Sequence, residues 1–226
     1  MARPGCCLIL TILVLQLSSS FTEGAKLRIL AFHPYLSTAE ATCASIRTWN
    51  SAILNLAEFN CLTAPFTEQG GRSWFLYPNN PNRIEESIAY VIDYMHKTGP
   101  YDGVYGFSQG AMMAAYIVAG QEKNMVFAGK SFSGLPRLRF AILHEGGRLE
   151  GVIDEVYSTP VKVKTLHSIG KKDARRWLEE EWPQYFVNPT VVRSEMEHTF
   201  LTNQNMGKVT IYIRSSSVFS KLPIVE

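Results

Sequence analysis

The chain has 226 residues, of which 46% are hydrophobic and 19% charged, and its formal net charge is +2 at pH 7. This length and composition are typical of one globular domain with a well-buried core. The 22 Lys and Arg residues are scattered, and the densest basic cluster, at 171–176, adjoins the acidic run 179–181. A nucleic-acid-binding face requires clustered basic charge, so we expect no nucleic-acid partner.

The N-terminal segment differs from the rest of the chain. A short, weakly basic start is followed by an apolar run over 6–17 and by three serines at 18–20. This layout predicts a secretory signal peptide over 1–22, a folded domain at 25–226, and a secreted or secretory-lumen location. An uncleaved anchor is the alternative. The apolar core of about a dozen residues is shorter than the ~20 that span a bilayer, so we expect no stable membrane span.

Two cysteines, Cys43 and Cys61, remain beyond this leader. The sequence places Cys43 in the first turns of a helix and Cys61 in the strand that follows it. A helix that runs more than ten residues along the sheet separates its ends by about 15–25 Å, whereas a disulfide requires Cα atoms within about 7 Å. We therefore predict two buried free thiols.

Strand-length apolar runs alternate with segments of helical periodicity along the chain. Strands are predicted at 27–33, 59–64, up to 107, 140–144, 161–169 and 190–194, and helices at 38–57, 83–96, 111–119 and 177–186. The stretch 66–81 is irregular, and 208–217 is rich in β-branched residues without favouring helix or strand. The alternation indicates an α/β fold with a mostly parallel sheet and helices on both faces.

The most informative motif is Gly106-Phe107-Ser108-Gln109-Gly110, at the predicted strand-to-helix turn. A G-x-S-x-G turn holds its serine in a strained conformation with the hydroxyl exposed above the sheet. The glycines let the helix turn back against the strand, and the helix N-terminus offers N–H groups to a developing oxyanion. Ser108 is therefore the predicted nucleophile.

A serine nucleophile needs a base, and the base needs an orienting group. His198 follows the last clear strand and is the favoured base, while His33 ends the first strand. The other histidines are interpreted as structural or surface residues: His96, His144 and His167. Asp173 follows a strand between Ser108 and His198 in chain order and is the favoured acid, although it could instead cap the next helix. Asp154 and Glu155 have no preceding strand to aim them.

Taken together, the sequence resembles the small serine hydrolases of the FSH1 type. The matching pieces are Lys26-Leu-Arg-Ile-Leu-Ala-Phe-His33, Arg83-Ile-Glu-Glu-Ser-Ile88, Gly99-Pro-Tyr-Asp-Gly-Val-Tyr-Gly-Phe-Ser-Gln-Gly-Ala111, Phe140-Ala-Ile-Leu143, Ile169-Gly-Lys-Lys-Asp173 and Glu197-His198. The resemblance implies a single-domain α/β-hydrolase fold without a large cap. It also implies a Ser108–Asp173–His198 triad that hydrolyses acyl-chain esters or thioesters. No cluster of His, Cys and carboxylates has metal-ligand spacing, so no metal or organic cofactor is expected.

The first loop departs from the family pattern. The family has His-Gly where this chain has His33 and Pro34, and the oxyanion hole is expected to use the N–H of Gln109 and one N–H of this loop. Proline has no N–H, so the second donor is predicted to be Tyr35 or Leu36. A secretory leader is also unusual for this family.

Aromatic residues in the irregular stretch and His33 complete the predicted site. Trp74, Phe75, Tyr77 and His33 are candidates for substrate contact, with packing against the domain as the alternative for the aromatics. A secreted binding protein that has lost efficient catalysis, with Pro34 as its signature, is an alternative function. An acyltransferase or thioesterase with the same triad is another, and the sequence does not separate it from an esterase.

Overall fold

The computed structural model describes residues 25–76, 81–148 and 153–218. The predicted leader at 1–22 and Tyr77 lie outside these ranges. Within them, no helix combines the length and the apolarity that crossing a bilayer requires.

Strands and helices alternate as the sequence predicts. The strands are β1 (Leu27–Phe32), β2 (Ala57–Leu62), β3 (Phe66–Glu68), β4 (Gly71–Ser73), β5 (Gly103–Phe107), β6 (Val126–Phe127), β7 (Lys130–Ser131), β8 (Phe140–His144), β9 (Lys164–Gly170) and β10 (Thr190–Ser194). The α-helices are α1 (Ala39–Arg47), α2 (Ser51–Leu54), α3 (Pro81–Thr98), α4 (Gln109–Glu122), α5 (Arg176–Glu181) and α6 (Gly207–Val218). Single 3-10 turns cover Asp154–Tyr157, Trp182–Tyr185 and Asn203–Asn205.

Six strands form one sheet in the order β10-β9-β8-β5-β1-β2, and every adjacent pair is parallel. This confirms the predicted single-domain α/β fold. The chain passes from β1 outward to β2 and then returns across β1 to β5. The loops after β1 and β5 therefore leave the sheet on opposite sides and open a crevice at its carboxyl edge, where sites of this fold class lie.

Two apolar clusters cover the two faces of the sheet. On one face, α3 and α4 pack against β1 and β5 through residues such as Ile88 and Ala115. On the other face lie α1, α2 and α6, with Ile46, Ile53 and Ile213 fully or almost fully buried. Nearly every residue of α4 is buried, and many of them are alanine or glycine. Such small side chains let the helix pack closely against the sheet.

The structure divides one predicted helix and forms a helix where the sequence favoured neither helix nor strand. The single helix predicted over 38–57 is two helices, because Asn50 caps α2 by accepting a hydrogen bond from Ile53 N–H, and Ala57 already begins β2. The apolar residues over 38–57 have the spacing of one continuous helix because both helices bury their apolar residues in the same cluster. The β-branched segment near the C-terminus forms α6, since burial of Val209, Tyr212 and Ile213 outweighs weak helix propensity.

The prediction of free thiols is wrong: Cys43 and Cys61 form a disulfide, with their Cα atoms 5.9 Å apart. The helix α1 starts at the carboxyl edge of the sheet and runs away from it, and β2 then runs back toward that edge. Cys61, one residue before the end of β2, therefore returns to the level of Cys43 at the middle of α1. The predicted separation of the two cysteines counted only the length of the helix and did not include the path of β2 back toward the carboxyl edge of the sheet.

Candidate active site

Ser108 lies between β5 and α4 in a conformation that non-glycine residues rarely adopt, with φ 55° and ψ −121°. Its N–H donates to His144 O at 2.9 Å, which anchors the turn to the end of β8. A Cβ at Gly106 would lie 2.1 Å from Gly110 O, so glycine is required for the helix to fold back on the strand. This is the strained strand-to-helix turn that the motif predicts.

The second glycine of the motif has a different role from the predicted one. A Cβ at Gly110 would lie 2.2 Å from Phe32 O and 2.7 Å from His33 O. The end of β1 therefore lies directly against the first turn of α4, whose leading N–H groups have no intrahelical acceptor. This contact brings the start of the first loop, at His33, beside the first turn of α4. Leu36 has a φ of 55°, so the loop turns sharply here.

The predicted substrate contact His33 is a buried structural residue. Its Nε2 accepts a hydrogen bond from Ala64 N–H at 2.9 Å, so Nδ1 carries the proton that is donated to Pro34 O at 2.7 Å. Burial, the main cause, lowers the pKa of His33 and keeps the imidazole neutral. His33 therefore fixes the loop after β1, and its full burial leaves no surface for a substrate.

Trp74 and Phe75 pack against the domain, which is the alternative to substrate contact that the sequence left open, because both side chains are fully buried. Trp74 Nε1 donates to His33 O at 2.9 Å. The Gln109 side chain accepts from Trp74 N–H at 2.8 Å and donates to Phe75 O at 2.9 Å. The segment of Trp74 and Phe75 therefore links His33, at the start of the first loop, to Gln109. Tyr77, the third aromatic of the prediction, lies outside the described residues.

The predicted base and acid lie together at the same edge of the sheet. Nδ1 of His198 is hydrogen bonded to Asp173 Oδ2. Asp173 Oδ1 accepts from Arg175 N–H at 2.8 Å, so this carboxylate is held from two sides and does not cap α5, which begins after Arg175. The His198 ring lies 4.9 Å from the ring of Phe107, the residue before Ser108, so the imidazole sits beside the strained turn.

The electrostatics of this pair suit a base and its orienting anion. Burial lowers the pKa of His198 below its ordinary value, and the hydrogen bond that His198 Nδ1–H donates to Asp173 opposes that shift. Burial acts to raise the pKa of Asp173, but hydrogen bonds from the side chain of Glu179, from Arg175 N–H and from His198 outweigh it and lower that pKa. Near neutral pH, Asp173 is therefore an anion and His198 is free to accept a proton.

Sequence reasoning missed the residues that hold the His198 loop. Thr199 N–H donates to Glu145 Oε2 at 2.9 Å, and Thr199 O accepts from His144 Nε2 at 2.7 Å. The His144 ring is stacked on Phe107 at 4.8 Å. His144 has the structural role that the sequence favoured, but its role as a clamp depends on contacts 55 residues apart. The available signal was the position of Glu145 directly after a buried strand.

The remaining candidates lie away from this site or serve structure. His167 is buried with Nε2 on Thr165 Oγ1 at 3.1 Å, and His96 is exposed on α3. Among the described residues, Glu145, Asp173 and His198 place ligand-type atoms within 4.8 Å of one another. Their hydrogen bonds to each other and to Thr199 already account for this arrangement, so we assign them no metal.

Solved structures with this fold include acyl-protein thioesterase 2 from Zea mays, at a TM-score of 0.63 and 19% identity over 85% of this chain and 94% of that one. Arabidopsis thaliana SOBER1 gives a TM-score of 0.62 and 18% identity over 85% and 99% of the two chains. At such identities, the likeness establishes the fold alone.

Some sequence relatives have a higher identity to this chain than these solved structures. Xenopus tropicalis Esterase OVCA2 is 30% identical over 80% of this chain and 91% of its own length. Caenorhabditis elegans Esterase C25G4.2 is 27% identical over 54% of this chain, and mouse Esterase OVCA2 is 36% identical over 40%. The matches to these last two span only 60% and 37% of the relatives' own lengths. Residues 21–200 match the family described as Serine hydrolase (FSH1), and the chain belongs to this family.

Proposed function

We propose that the protein is a serine esterase that hydrolyses acyl-chain carboxylic esters, with Ser108 as nucleophile, His198 as base and Asp173 as orienting acid. One observation carries the proposal. A serine in the strained turn after β5 shares the carboxyl edge of the sheet with a hydrogen-bonded Asp173–His198 pair, and the imidazole packs on the residue before that serine. The names of the esterase relatives support the same reaction class.

The mechanism follows from these roles. His198 Nε2 accepts the Ser108 hydroxyl proton as Oγ forms a bond to the ester carbonyl carbon, and Asp173 stabilises the resulting imidazolium. His198 then gives that proton to the departing alcohol, which leaves an acyl-enzyme. A water molecule, deprotonated by His198, cleaves the acyl-enzyme and regenerates Ser108. Because neutral His198 is required, kcat/KM should decline as pH falls through the lowered pKa of this imidazole.

The tetrahedral oxyanion would be held where the loop after β1 meets α4. Gln109 N–H, at the helix N-terminus, is one proposed donor, and Tyr35 or Leu36 N–H is the second. Loss of one such donor typically costs about 3 kcal/mol of transition-state stabilisation. Gly110 lies against the backbone of Phe32 and His33, the two residues before Pro34, which supports a position of this loop beside α4. That contact favours an active enzyme over a binding protein that has lost catalysis.

We infer further that the mature chain works in the secretory pathway or outside the cell. The signal-peptide pattern of 1–22 supports this location, and so does the Cys43–Cys61 disulfide, because disulfides persist in oxidising compartments. Secretion of the full chain from cells, with a mature N-terminus between residues 20 and 24, would support it. Retention of an unprocessed chain in the cytosol would contradict it.

The test is hydrolysis of p-nitrophenyl esters, from acetate to palmitate, by the wild type and by Ser108→Ala. We expect activity in the wild type only, and the preferred chain length measures the pocket. An alkyl fluorophosphonate should label the wild type and not the variant. Equal background rates and no labelling, from folded protein, would support the binding protein instead. Faster acyl transfer to an added alcohol or thiol than to water would identify an acyltransferase, and greater activity on thioesters would identify a thioesterase.

A further inference from the structure

Three carboxyl groups are buried on the Nδ1 side of His198, but the proposed mechanism uses only one of them. Glu145, Asp173 and Glu179 are 2%, 6% and 3% exposed. Three carboxylate anions in so small a buried volume would repel one another strongly. We therefore expect that not all three carboxyl groups are ionised at neutral pH.

The contact between Glu179 and Asp173 indicates that one of these two carboxyl groups is protonated. Glu179 Oε2 accepts a hydrogen bond from Gly170 N–H at 3.1 Å, and the Asp173 carboxyl group lies close enough to raise the pKa of Glu179 through its charge and through a hydrogen bond between the two carboxyl groups. No N–H or hydroxyl donor among the described residues faces Glu179 Oε1. Ionised carboxylates have acceptor oxygens only, so a hydrogen bond between two carboxyl groups requires a proton on one of them.

The surroundings of the pair place that proton on Glu179. Asp173 receives Arg175 N–H and hydrogen bonds to His198 Nδ1, and the Arg175 guanidinium lies 3.8 Å from Asp173 Oδ1. Each of these groups favours the Asp173 anion. Glu179 receives only Gly170 N–H and faces the negative charge of Asp173. Asp173 is therefore the acceptor of the shared hydrogen bond and Glu179 its donor.

The other titratable groups around the cluster come from different elements. From the end of β8, Glu145 Oε2 lies 3.6 Å from His198 Nδ1, and His144 Nε2 lies 3.9 Å from Glu145 Oε2. Burial keeps His144 neutral, so it brings no cation to balance an ionised glutamate. Tyr105, beneath Glu145 on β5, is buried and neutral as well. The Arg175 guanidinium is therefore the cation that faces the cluster among the described residues, and it lies nearest Asp173.

We propose that Glu179 is a positioning residue of this site: as a neutral carboxylic acid it donates a hydrogen bond to the Asp173 carboxylate, which in turn orients His198. The inference rests on the proposed function and assigns a role to a residue outside the triad. Glu179 touches neither substrate nor reacting atoms. It acts by holding Asp173 in the orientation that the His198 Nδ1–H requires.

The proton balance gives this role a pH dependence. Burial, with the hydrogen bond and charge of Asp173 and the charge of Glu145, raises the pKa of Glu179 to about 9, and burial raises that of Glu145 to about 8. Both groups are therefore neutral at pH 7. At higher pH Glu179 loses the proton it donates and becomes a second anion against Asp173. We expect kcat to fall on this alkaline side, beyond the pH at which His198 is fully neutral.

The experiment compares Glu179→Gln, Glu179→Leu and the control Glu181→Gln, an exposed residue on the same helix. Glutamine retains a donor for Asp173 and an acceptor for Gly170 N–H but cannot ionise. We expect Glu179→Gln to keep kcat near the wild-type value at pH 7 and to lose the alkaline decline. Glu179→Leu should lower kcat with KM unchanged, by about 10- to 100-fold, as for outer-shell partners of ligating imidazoles. Glu181→Gln should match the wild type at every pH.

Infrared spectroscopy gives a readout that does not need activity. The wild type should have a protonated-carboxyl band that shifts or disappears at alkaline pH and is diminished in Glu179→Gln. The inference is overturned if that band does not change in Glu179→Gln. It is also overturned if this variant keeps the wild-type alkaline decline, or loses as much kcat at pH 7 as Glu179→Leu. A wild type with the band but with no ester hydrolysis and no fluorophosphonate labelling would instead refute the proposed function.

Discussion

At the residue scale, Gln109 combines a structural side chain with a proposed catalytic N–H. Its amide bridges Trp74 N–H and Phe75 O. Gln121, near the other end of α4, makes the same kind of bridge, from Leu138 N–H to Pro136 O. Both side chains are buried, so each replacement by leucine leaves two buried backbone groups without partners. Only the Gln109 bridge is connected to the loop after β1, because Trp74, which Gln109 holds, donates a hydrogen bond to His33 O.

We therefore expect Gln109→Leu and Gln121→Leu to lower the free energy of unfolding by similar amounts, about 2–6 kcal/mol from two unpaired groups. Only Gln109→Leu should also lower kcat/KM for an ester substrate, because it releases the support of the oxyanion loop. Urea denaturation and steady-state kinetics measure the two effects. Equal losses of activity in both variants would show that stability alone accounts for the result.

At the scale of elements, the contact between the end of β1 and the first turn of α4 sets the geometry of the crevice. A methyl group at Gly110 would meet the carbonyl groups of Phe32 and His33, which are backbone atoms and cannot move aside singly. We expect Gly110→Ala to separate the two elements and to abolish ester hydrolysis. Gly207, at the start of α6, has nothing within 4 Å of the corresponding position.

Gly207→Ala is therefore the matched control, and it should leave activity unchanged and stability equal or slightly higher, since alanine restricts the unfolded chain. Thermal unfolding and the p-nitrophenyl ester assay test both variants. If Gly110→Ala retained wild-type kcat, the close approach of β1 to α4 would not be needed for catalysis.

The strained turn at Ser108 could be predicted from local sequence, because its glycines, strand and helix all lie within a few residues of Ser108. The order of the strands placed Asp173 and His198 at the same edge, since parallel strands share their carboxyl ends. The buried supports could not be predicted in this way. Trp74 and Phe75 sit in a segment that looks like an exposed loop, and their burial depends on Gln109. The partners of Glu145 and Glu179 lie on other strands and loops, and no local pattern identifies them.

At the scale of the whole molecule, the disulfide links α1 to the edge strand β2 across a sequence separation of 18 residues. Closing a loop of about 15 residues stabilises a fold by about 3 kcal/mol in the chain-entropy description. We expect the Cys43→Ala/Cys61→Ala double variant to lose about this much free energy of unfolding. A reducing agent should destabilise the wild type and have no effect on the double variant.

The disulfide lies on the outer edge of the sheet, so the double variant should keep its activity at temperatures where it is folded. Urea denaturation with and without the reducing agent makes the comparison. A wild type as stable with the reducing agent as without it would contradict the predicted contribution.

Buried ionisable groups set how the stability of the whole molecule changes with pH. Burial lowers the pKa values of His144 and His167 to about 3. Between that value and the unfolded value of 6.5, the unfolded chain binds more protons, so stability rises with pH and is complete above 6.5. Glu145 and Glu179 act in the opposite direction. Their folded pKa values of about 8 and 9 exceed the unfolded 4.5, so the native state binds more protons in that window and stability falls as pH rises.

The two trends oppose each other below pH 6.5, and above it only the two glutamates act. We therefore expect maximal stability near pH 5–6 and a decline from about pH 6.5 toward pH 9, at a rate on the order of 1–3 kcal/mol per pH unit. The Glu145→Gln/Glu179→Gln double variant should remove this decline, whereas Glu155→Gln/Glu181→Gln, which changes two exposed glutamates, should not. Urea denaturation between pH 5 and 9 measures all three proteins. A decline in the first double variant as steep as in the wild type would mean that these carboxyl groups are already ionised in the native state at neutral pH.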